Sequence, residues 1–276
     1  MKGQPFTYVT WNISGCDKNW KERAAAVTQV ITELQPDILG LVEAHSRNLE
    51  ELMSVFSSLG LVYVLSQPID PSNDPGRCDM IAYNLKRFLL KEHKSIYLSR
   101  TPDRFSKDWD SFAPRVATTL KLLDRSCDVD VVASLGHLDN KVRKARNNQA
   151  RVWVDFLDEF YPNEPTAAGG DFNASFYHIG PEAPDTTATH RIFADAGFID
   201  PQQITYPTKR PPYTYNMWDL NYSGTDFGMV NPDHIYYRWG SDHGIVPFAK
   251  PEVIQQTPYG VIPSDHWPIL QRFQLT

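Results

Sequence analysis

Acidic, amide and imidazole side chains stand at the ends of apolar segments along this chain. The set comprises Asn12, Glu43, His137, Asp171, Asn173, Asp265 and His266. Each of them alone has a structural explanation, as a helix cap, a turn residue or the partner of a surface base. Strand ends, however, are where functional sites assemble in α/β proteins, because a rigid strand holds the side chain that follows it in place. The whole set therefore indicates one site built from several strand ends.

The residue types in this set indicate a particular chemistry. Carboxylate and amide oxygens are the ligands that Mg²⁺ and Mn²⁺ prefer, and two histidines can exchange protons near neutral pH. The chain has no HExxH motif and no Cys/His zinc spacing, and the odd number of cysteines (Cys16, Cys78 and Cys127) favours thiols in a reducing compartment. The set therefore predicts metal-assisted attack of water on a phosphate ester.

Apolar periodicity predicts the elements that must position these residues. Strands are expected at residues 6–13, 38–42, 61–65, 80–83, 116–123, 129–135, 166–169, 235–237 and 269–275. Helices are expected at residues 17–34, with Asp17 as the N-cap, and at 47–59, 141–160 and 187–196. Strands and helices interleave to the end of the chain, with no internal repeat or low-complexity linker. We therefore expect one α/β domain over residues 1–276.

Six short motifs occur in order along nearly the whole chain. They are Thr10-Trp11-Asn12, Gly40-Leu41-Val42-Glu43, Gly136-His137-Leu138-Asp139, Gly169-Gly170-Asp171-Phe172-Asn173, Asp233-His234-Ile235-Tyr236 and Ser264-Asp265-His266-Trp267-Pro268. Together they resemble the motifs of the endonuclease/exonuclease/phosphatase superfamily, which includes deoxyribonuclease I and the apurinic endonucleases. The resemblance implies a four-layered α/β sandwich, in which two packed mixed β-sheets are flanked by helices.

The resemblance also implies roles for individual residues. Glu43 looks like the principal ligand of Mg²⁺ or Mn²⁺, with Asn12 and Asp265 completing the metal environment. Asp171 and Asn173 are similar to the residues that orient the attacking water and the phosphate oxygens.

The histidines receive roles in the same way. His266 resembles the histidine beside the scissile phosphate, a base or a transition-state stabiliser, and Asp233 the carboxylate that holds its tautomer. His137 resembles the second histidine, a candidate acid for the leaving oxygen. A second Ser-Asp-His motif ends at His243, but only His266 runs straight into the final apolar strand, so we assign the role to His266.

One stretch departs from the family pattern. Relatives with two histidines often place a glutamate after a glycine to support the second one, and here Arg77 stands at that position. Asp79 is a substitute after a short shift, and another group supporting His137 is the alternative. Arg115, at the start of a predicted strand, is expected either to contact a phosphate or to form an exposed ion pair.

Composition limits the class of partner. The chain has 33 Asp and Glu against 27 Lys and Arg, a formal charge of −6 and a pI near 5.7. This excludes a protein that grips nucleic acid by bulk positive charge, but not a small metal site for phosphate. No apolar segment is long enough to span a membrane, and no signal peptide is visible. We therefore expect a cytoplasmic monomer, although a trimmed secreted chain would look the same.

The leading function is that of a metal-dependent phosphodiesterase or nuclease, with DNA or RNA as the substrate. The alternatives are a phosphatase or phospholipase-type hydrolase of a small-molecule or lipid phosphate ester, and a noncatalytic scaffold of the same fold. An aromatic cluster offers a further signal: Tyr206, Tyr213, Tyr215, Trp218, Tyr222 and Phe227. These rings either stack on bases or sugars or pack against one another within the loop. His178 is a separate candidate, because it is close enough to Asn173 in sequence to line the cleft.

Overall fold

The computed structural model describes residues 2–15, 19–175, 187–207, 211–222 and 231–276. The expected helix cap Asp17 lies outside these ranges, as do Cys16, His178 and Phe227. The strands within the described ranges are β1 (Phe6–Asn12), β2 (Ile38–His45), β3 (Leu61–Leu65), β4 (Arg77–Asn84), β5 (Phe88–Tyr97), β6 (Val116–Asp124), β7 (Val129–His137), β8 (Thr166–Asp171), β9 (Asp233–Arg238), β10 (Ile245–Pro247), β11 (Glu252–Val253) and β12 (Ile269–Leu275). The α-helices are α1 (Trp20–Leu34), α2 (Leu49–Leu59), α3 (Arg143–Phe160), α4 (Thr187–Asp195) and α5 (Pro201–Thr205).

The strands form two mixed sheets. The first has the order β10-β12-β1-β2-β4-β3, with β11 also pairing with β12, and the second has the order β5-β6-β7-β8-β9. Each sheet contains one parallel pair, β1 with β2 and β7 with β8, and its other pairs are antiparallel.

Helices cover the outer faces of the two sheets. The α1 and α2 helices pack on the first sheet, where Val27 and Phe56 belong to one apolar cluster with its strands. The α3 helix packs on the second sheet, where the indole of Trp153 is fully buried and stacks on Phe172 at 5.4 Å. A third cluster, which includes Tyr8, lies between the sheets. The predicted four-layered α/β sandwich is confirmed.

The sequence prediction missed the strands β5, β10 and β11 and the helix α5. The strand β5 lies at the edge of the second sheet and carries the charged run Lys91-Glu92-His93-Lys94, with a register shift between Leu90 and Glu92. Its exposed outer face removes the apolar periodicity that identifies a buried strand. Among the described helices, none has the length and apolar character that crossing a bilayer requires.

The parallel pairs determine where the polar residues meet. Asn12 is the last residue of β1, and Glu43 lies near the end of the neighbouring β2. His137 and Asp171 end β7 and β8, and the two are paired in register. Asp171 is in turn opposite Asp233, the first residue of the antiparallel β9. The carboxyl ends of both parallel pairs therefore lie at the same edge of the sandwich, and the polar residues meet there.

A glycine permits the close approach of β7 and β8 just before these ends. Gly170 has φ +148°, and a Cβ placed on it would lie 1.8 Å from the carbonyl oxygen of Gly136. No L-amino-acid side chain fits there, and a backbone atom is the obstacle, so no side-chain rotation relieves the clash.

We expect Gly170→Ala to destabilise the fold by at least ~3 kcal/mol, because it adds both a clash and backbone strain. Gly60→Ala is the matched control: Gly60 also has positive φ, +68°, but a Cβ there has nothing within 4 Å. That control should cost only ~1 to 2 kcal/mol. Urea unfolding measures both values, and equal losses would contradict the role given to Gly170.

His234 ties the start of β9 to two other segments. Its Nδ1 lies 2.7 Å from Asp200 Oδ2, and its Nε2 lies 2.8 Å from the carbonyl of Asn231 and 3.1 Å from that of Ala174. Both ring nitrogens face acceptors, which suits the doubly protonated imidazolium. Burial alone would lower the pKa of His234, but the Asp200 carboxylate raises it above its ordinary value.

This contact should make stability depend on pH. Because the pKa of His234 is raised on folding, its contribution is fully present below the unfolded pKa of ~6.5 and is lost as pH rises through the folded-state pKa. The unfolding free energy lost in His234→Gln should be larger at about pH 6 than at about pH 9, in urea titrations. His243→Gln, which alters an exposed histidine, is the control, and a pH-independent loss at His234 would refute the expectation.

Candidate active site

One cleft brings the polar side chains of the strand ends together. It has a volume of about 460 Å³. Its lining residues are Asn12, Glu43, His137, Asn140, Lys141, Asp171, Asn173, Tyr215, Pro232, Asp265 and His266. Asp233 lies directly behind His266, so all eight predicted site residues meet at one place. The Asp242–His243 copy lines a different cavity.

Glu43 lies on a bulge of β2. The register with β4 shifts between Leu41 and Ala44, and Glu43 has φ 54°. A positive φ at a glutamate costs of order 1 to 3 kcal/mol and persists only where the surroundings impose it. Its N–H donates to Asp79 Oδ1 at 3.3 Å, and its carbonyl accepts from the N–H of Gly15 at 2.8 Å. These bonds hold the bulge, which directs the carboxylate into the cleft.

Arg23 on α1 fixes the loop that follows Asn12 and the loop that carries Asp265. Its guanidinium donates to the carbonyls of Ile13, Ser14 and Pro263 at 3.1, 2.8 and 2.5 Å. Arg23 is buried, and its guanidinium carbon lies 4.8 Å from the ring centroid of Trp218. One side chain therefore sets the distance between two loops that are far apart in sequence.

Asp171 and Asn173 form a hydrogen-bonded network around the cleft floor. Asn12 Nδ2 donates to Asp171 Oδ2 at 3.1 Å, and the N–H of Asn173 donates to Asp171 Oδ1 at 2.9 Å. Asn173 Nδ2 donates to the carbonyl of Leu138 and lies 3.0 Å from His137 Nε2. Since an amide nitrogen only donates, His137 Nε2 accepts and is unprotonated.

His266 is held by a carboxylate behind it. Its Nδ1 lies 2.8 Å from Asp233 Oδ2, and its Nε2 points into the cleft, 3.8 Å from Asp171 Oδ2. The ring of Tyr215 packs against it at 4.8 Å, and Trp11 Nε1 donates to its carbonyl. Burial alone would lower the pKa of His266, but Asp233 outweighs burial and raises it to about 10.

The buried carboxylates have raised pKa values. Burial, and next the Asp233 carboxylate, raise the pKa of Asp171 well above its usual range. Burial is also the main cause of the raised pKa of Asp265, and the nearby Glu43 adds to it, partly offset by His266. Carboxylates gathered in this way repel one another, and a bound cation would relieve the repulsion.

The donor set fits a hard divalent cation. Glu43, Asp265 and Asn12 offer carboxylate and amide oxygens, which suit Mg²⁺ or Mn²⁺ better than a thiophilic metal. A different group, Asp171, Asp233 and His266, has ligand atoms within 4.8 Å of one another. In that group, however, His266 Nδ1 and Asp233 already satisfy each other at 2.8 Å. We therefore favour the first set as the metal ligands.

The same architecture occurs in known proteins. Residues 9–266 match the model of the endonuclease/exonuclease/phosphatase family. The chain belongs to this family. The predicted family is thereby confirmed.

Individual family members cover much of the chain at low identity. Nocturnin from Drosophila melanogaster is 24% identical over 292 residues, which are 93% of this chain but 42% of that protein, so the chain spans less than half the length of this relative. An endonuclease/exonuclease/phosphatase from Bacteroides vulgatus has 20% identity and a TM-score of 0.80, over 99% of this chain and 100% of that one. A mannosyl-6-phosphatase from Bacteroides thetaiotaomicron has 22% identity and a TM-score of 0.72, over 98% and 99%.

The structure shows the positions of Asp79 and Arg115, for each of which the sequence left two alternatives. Asp79 is fully buried and accepts from the backbone of Glu43, so its described contact supports that residue and not His137. Burial raises the pKa of Asp79 to about 7. Arg115 is buried as well, so the expected exposed ion pair is wrong, and its Nε and Nη1 have no hydrogen-bond partner among the described residues.

The rings of the aromatic cluster differ in how deeply they are buried. Tyr222 is buried, and Tyr215 packs against both Tyr222 and His266, which supports the loop-packing interpretation for these two rings. Trp218 is partly exposed over Arg23. On α3, which is rich in basic residues, Arg146 is buried and donates to the carbonyl of Asp139.

Sequence reasoning gave no role to Arg23 or Asp139. Arg23 stands in an ordinary amphipathic helix, and its function depends on Pro263, which is 240 positions away. Asp139 was visible as part of a motif, and it holds the turn before α3 by accepting from the N–H groups of Lys141 and Val142 at 2.9 and 2.6 Å.

We expect Arg23→Leu to weaken Mn²⁺ binding by about 10- to 100-fold, because the Asn12 and Asp265 loops lose their common anchor. Calorimetric titration with Mn²⁺ measures the affinity, and circular dichroism verifies that the variant is folded. Arg151→Leu removes an exposed arginine and is the control. Unchanged Mn²⁺ affinity in folded Arg23→Leu would show that the anchor does not position metal ligands.

Proposed function

We propose that the chain is a divalent-metal-dependent phosphodiesterase of the nuclease type. The observation that carries this proposal is that one cleft brings together oxygen ligands for a cation and groups that handle protons. Glu43, Asn12 and Asp265 supply the oxygens, and Asp171, Asn173 and His266 line the same cleft. A phosphate held there would have ligands for a cation and proton-handling groups within reach.

Glu43, Asn12 and Asp265 would hold Mg²⁺ or Mn²⁺, which supplies charge stabilisation at the phosphate oxygens when bound. The bulge at Glu43 and the Arg23 anchor fix these three side chains before the substrate arrives. Such preorganisation lowers the cost of reaching the transition state, because the groups need not reorient.

Asp171 is the residue that orients the attacking water. Its carboxylate is fixed by hydrogen bonds from Asn12 and from the N–H of Asn173. Its raised pKa gives it more basicity than an exposed aspartate, so it is suited to accept a proton from the water.

His266 stabilises negative charge that develops on the phosphate. Asp233 binds its Nδ1, which keeps the ring protonated and leaves the Nε2 proton directed at the cleft. Of the two roles left open by the sequence, this arrangement favours the transition-state stabiliser over the base.

His137 acts as a neutral hydrogen-bonding group in this account. Its Nε2 accepts from Asn173, and its Nδ1, 3.9 Å from Glu43 Oε1, carries the proton. Burial and the nearby Arg115 and Arg77 lower the pKa of His137 well below its usual value. The leaving oxygen is therefore better protonated by another donor than by the imidazolium first expected.

A phosphatase acting on a small phosphate ester is the second candidate. The similarity to the Bacteroides thetaiotaomicron mannosyl-6-phosphatase supports it. The two candidates differ in whether the scissile phosphate carries one or two ester groups, so paired chromogenic substrates distinguish them.

The test compares hydrolysis of bis(p-nitrophenyl) phosphate and p-nitrophenyl phosphate with Mg²⁺ or Mn²⁺. We expect the diester to be preferred, EDTA to abolish the activity, and Glu43→Gln and His266→Ala to lower kcat/KM by at least ~100-fold. His243→Ala alters the other Ser-Asp-His copy, outside the cleft, and should leave the activity unchanged. Activity that survives EDTA, or that falls in His243→Ala but not in His266→Ala, would refute the proposal, and preference for the monoester would favour the phosphatase.

A further inference from the structure

A second cavity adjoins the catalytic cleft, and the mechanism above gives it no role. It has a volume of about 510 Å³, and its lining residues include Asp70, Arg77, Phe105, Lys107, Phe112 and Pro114. We call it the side cavity. Phe112 and Lys141 separate the two spaces, because Lys141 lines the catalytic cleft and its Nζ lies 3.9 Å from the ring centroid of Phe112.

This dividing wall is fixed to the strand that carries His137. Asp139, two residues after His137, accepts from the N–H of Phe112 at 2.6 Å and from Ser111 Oγ at 2.7 Å. Burial alone would raise the pKa of Asp139, but hydrogen bonds, first that from Val142, lower it, so the carboxylate stays charged. The position of Phe112 relative to the catalytic cleft is therefore set by the backbone.

The side cavity has an excess of positive charge. Arg77 and Lys107 line it and form no ion pair within the part of the chain that is described. Asp70 is the only acid among the lining residues that the structure describes, and the side-chain amide of Asn73 donates to both of its oxygens.

The side cavity also presents two exposed aromatic rings. Phe112 is 57% exposed and Phe105 is 44% exposed. Phe105 is held edge-on by Tyr97 at 5.6 Å, so its position is fixed although its surface is open. Exposed rings beside basic side chains are the combination that binds nucleotides, because every base has a face that stacks and every nucleotide has a phosphate.

We propose that the side cavity binds a nucleotide unit linked to the scissile phosphate, with its base against Phe112 and Phe105 and its own phosphate beside Arg77 and Lys107. This inference rests on the proposed phosphodiesterase function. It makes the loop between β5 and β6 the segment that recognises a nucleotide substrate. A free dinucleotide and a single-stranded polynucleotide share this chemistry.

The test measures kcat/KM of the full chain with Mn²⁺ on three substrates. These are bis(p-nitrophenyl) phosphate, which has no nucleotide, a dinucleotide with a terminal phosphate, and a short single-stranded oligonucleotide. We expect Phe112→Ala and Lys107→Glu to lower kcat/KM on a nucleotide substrate about 10-fold more than on bis(p-nitrophenyl) phosphate. A loss confined to the oligonucleotide identifies a polynucleotide, and a loss on both identifies the nucleotide unit itself.

Matched control substitutions separate an effect of the side cavity from a general effect of altering the protein surface. Phe160 is as exposed as Phe105, at 44%, and has a lysine over its ring, since Lys94 Nζ lies 4.5 Å from it. Phe160→Ala should leave all three substrates unaffected, and Lys86→Glu repeats the charge reversal at an exposed site outside the cavity. Equal losses on all three substrates, or none on nucleotides, would overturn the proposal.

Failure of the side-cavity proposal can be distinguished from failure of the phosphodiesterase proposal. Hydrolysis of bis(p-nitrophenyl) phosphate without hydrolysis of either nucleotide overturns the side-cavity proposal and leaves the phosphodiesterase in place. Where no ester is hydrolysed, calorimetry with a 5′-mononucleotide still tests the cavity. Binding that Phe112→Ala weakens about 10-fold, and that exceeds the binding of ribose 5-phosphate, supports it; equal binding of the two ligands overturns it.

Discussion

The hydrogen bond from Asn12 Nδ2 to Asp171 Oδ2, 3.1 Å long, joins the two sheets inside the cleft. Asn12 ends a strand of the first sheet, and Asp171 ends a strand of the second. One buried contact therefore fixes a proposed metal ligand, Asn12, relative to Asp171, the residue proposed to orient the attacking water. Its existence depends on the two parallel strand pairs ending at the same edge of the sandwich.

The sheets must be rigid for this contact to keep its geometry. Between them, Tyr8 Oη donates to the carbonyl of Ser134 at 2.7 Å, which links β1 to β7 within the apolar layer. On the outer side of the second sheet, Trp153 Nε1 donates to Ser134 Oγ at 2.8 Å. The sandwich thus fixes the strand ends from both faces, and the active-site residues need only short extensions beyond it.

Electrostatics explains why such a site is costly without a cation. Asp171 and Asp233 are buried, Asp265 is half-buried beside them, and the charged His266 neutralises only part of their charge. Buried like charges raise one another's pKa values and destabilise the folded state. A divalent cation bound to Glu43 and Asp265 would turn this cost into binding free energy, and would also make the cleft attractive to phosphate.

The sequence predicted one α/β domain and a site at strand ends, because both follow from apolar runs and the polar residues at their ends. The four-layered sandwich and the roles of the eight side chains were implied by the resemblance of six motifs to a known family. Sequence reasoning missed what depends on non-local contacts. The guanidinium of Arg23 meets Pro263 from across the chain, and the positive φ of Glu43 follows from a bulge that no local pattern marks. The neutral state of His137 likewise follows from Asn173 and from burial, neither of which is visible in a motif.

The position of the bound metal tests the account most directly. Crystals grown with Mn²⁺ and measured at the manganese absorption edge would locate the ion by its anomalous signal. We expect a peak at coordination distance, about 2.1 Å, from oxygens of Glu43, Asn12 and Asp265, with the Asp233–His266 hydrogen bond intact. A peak coordinated instead by Asp171, Asp233 and His266, or no peak in the cleft, would contradict it.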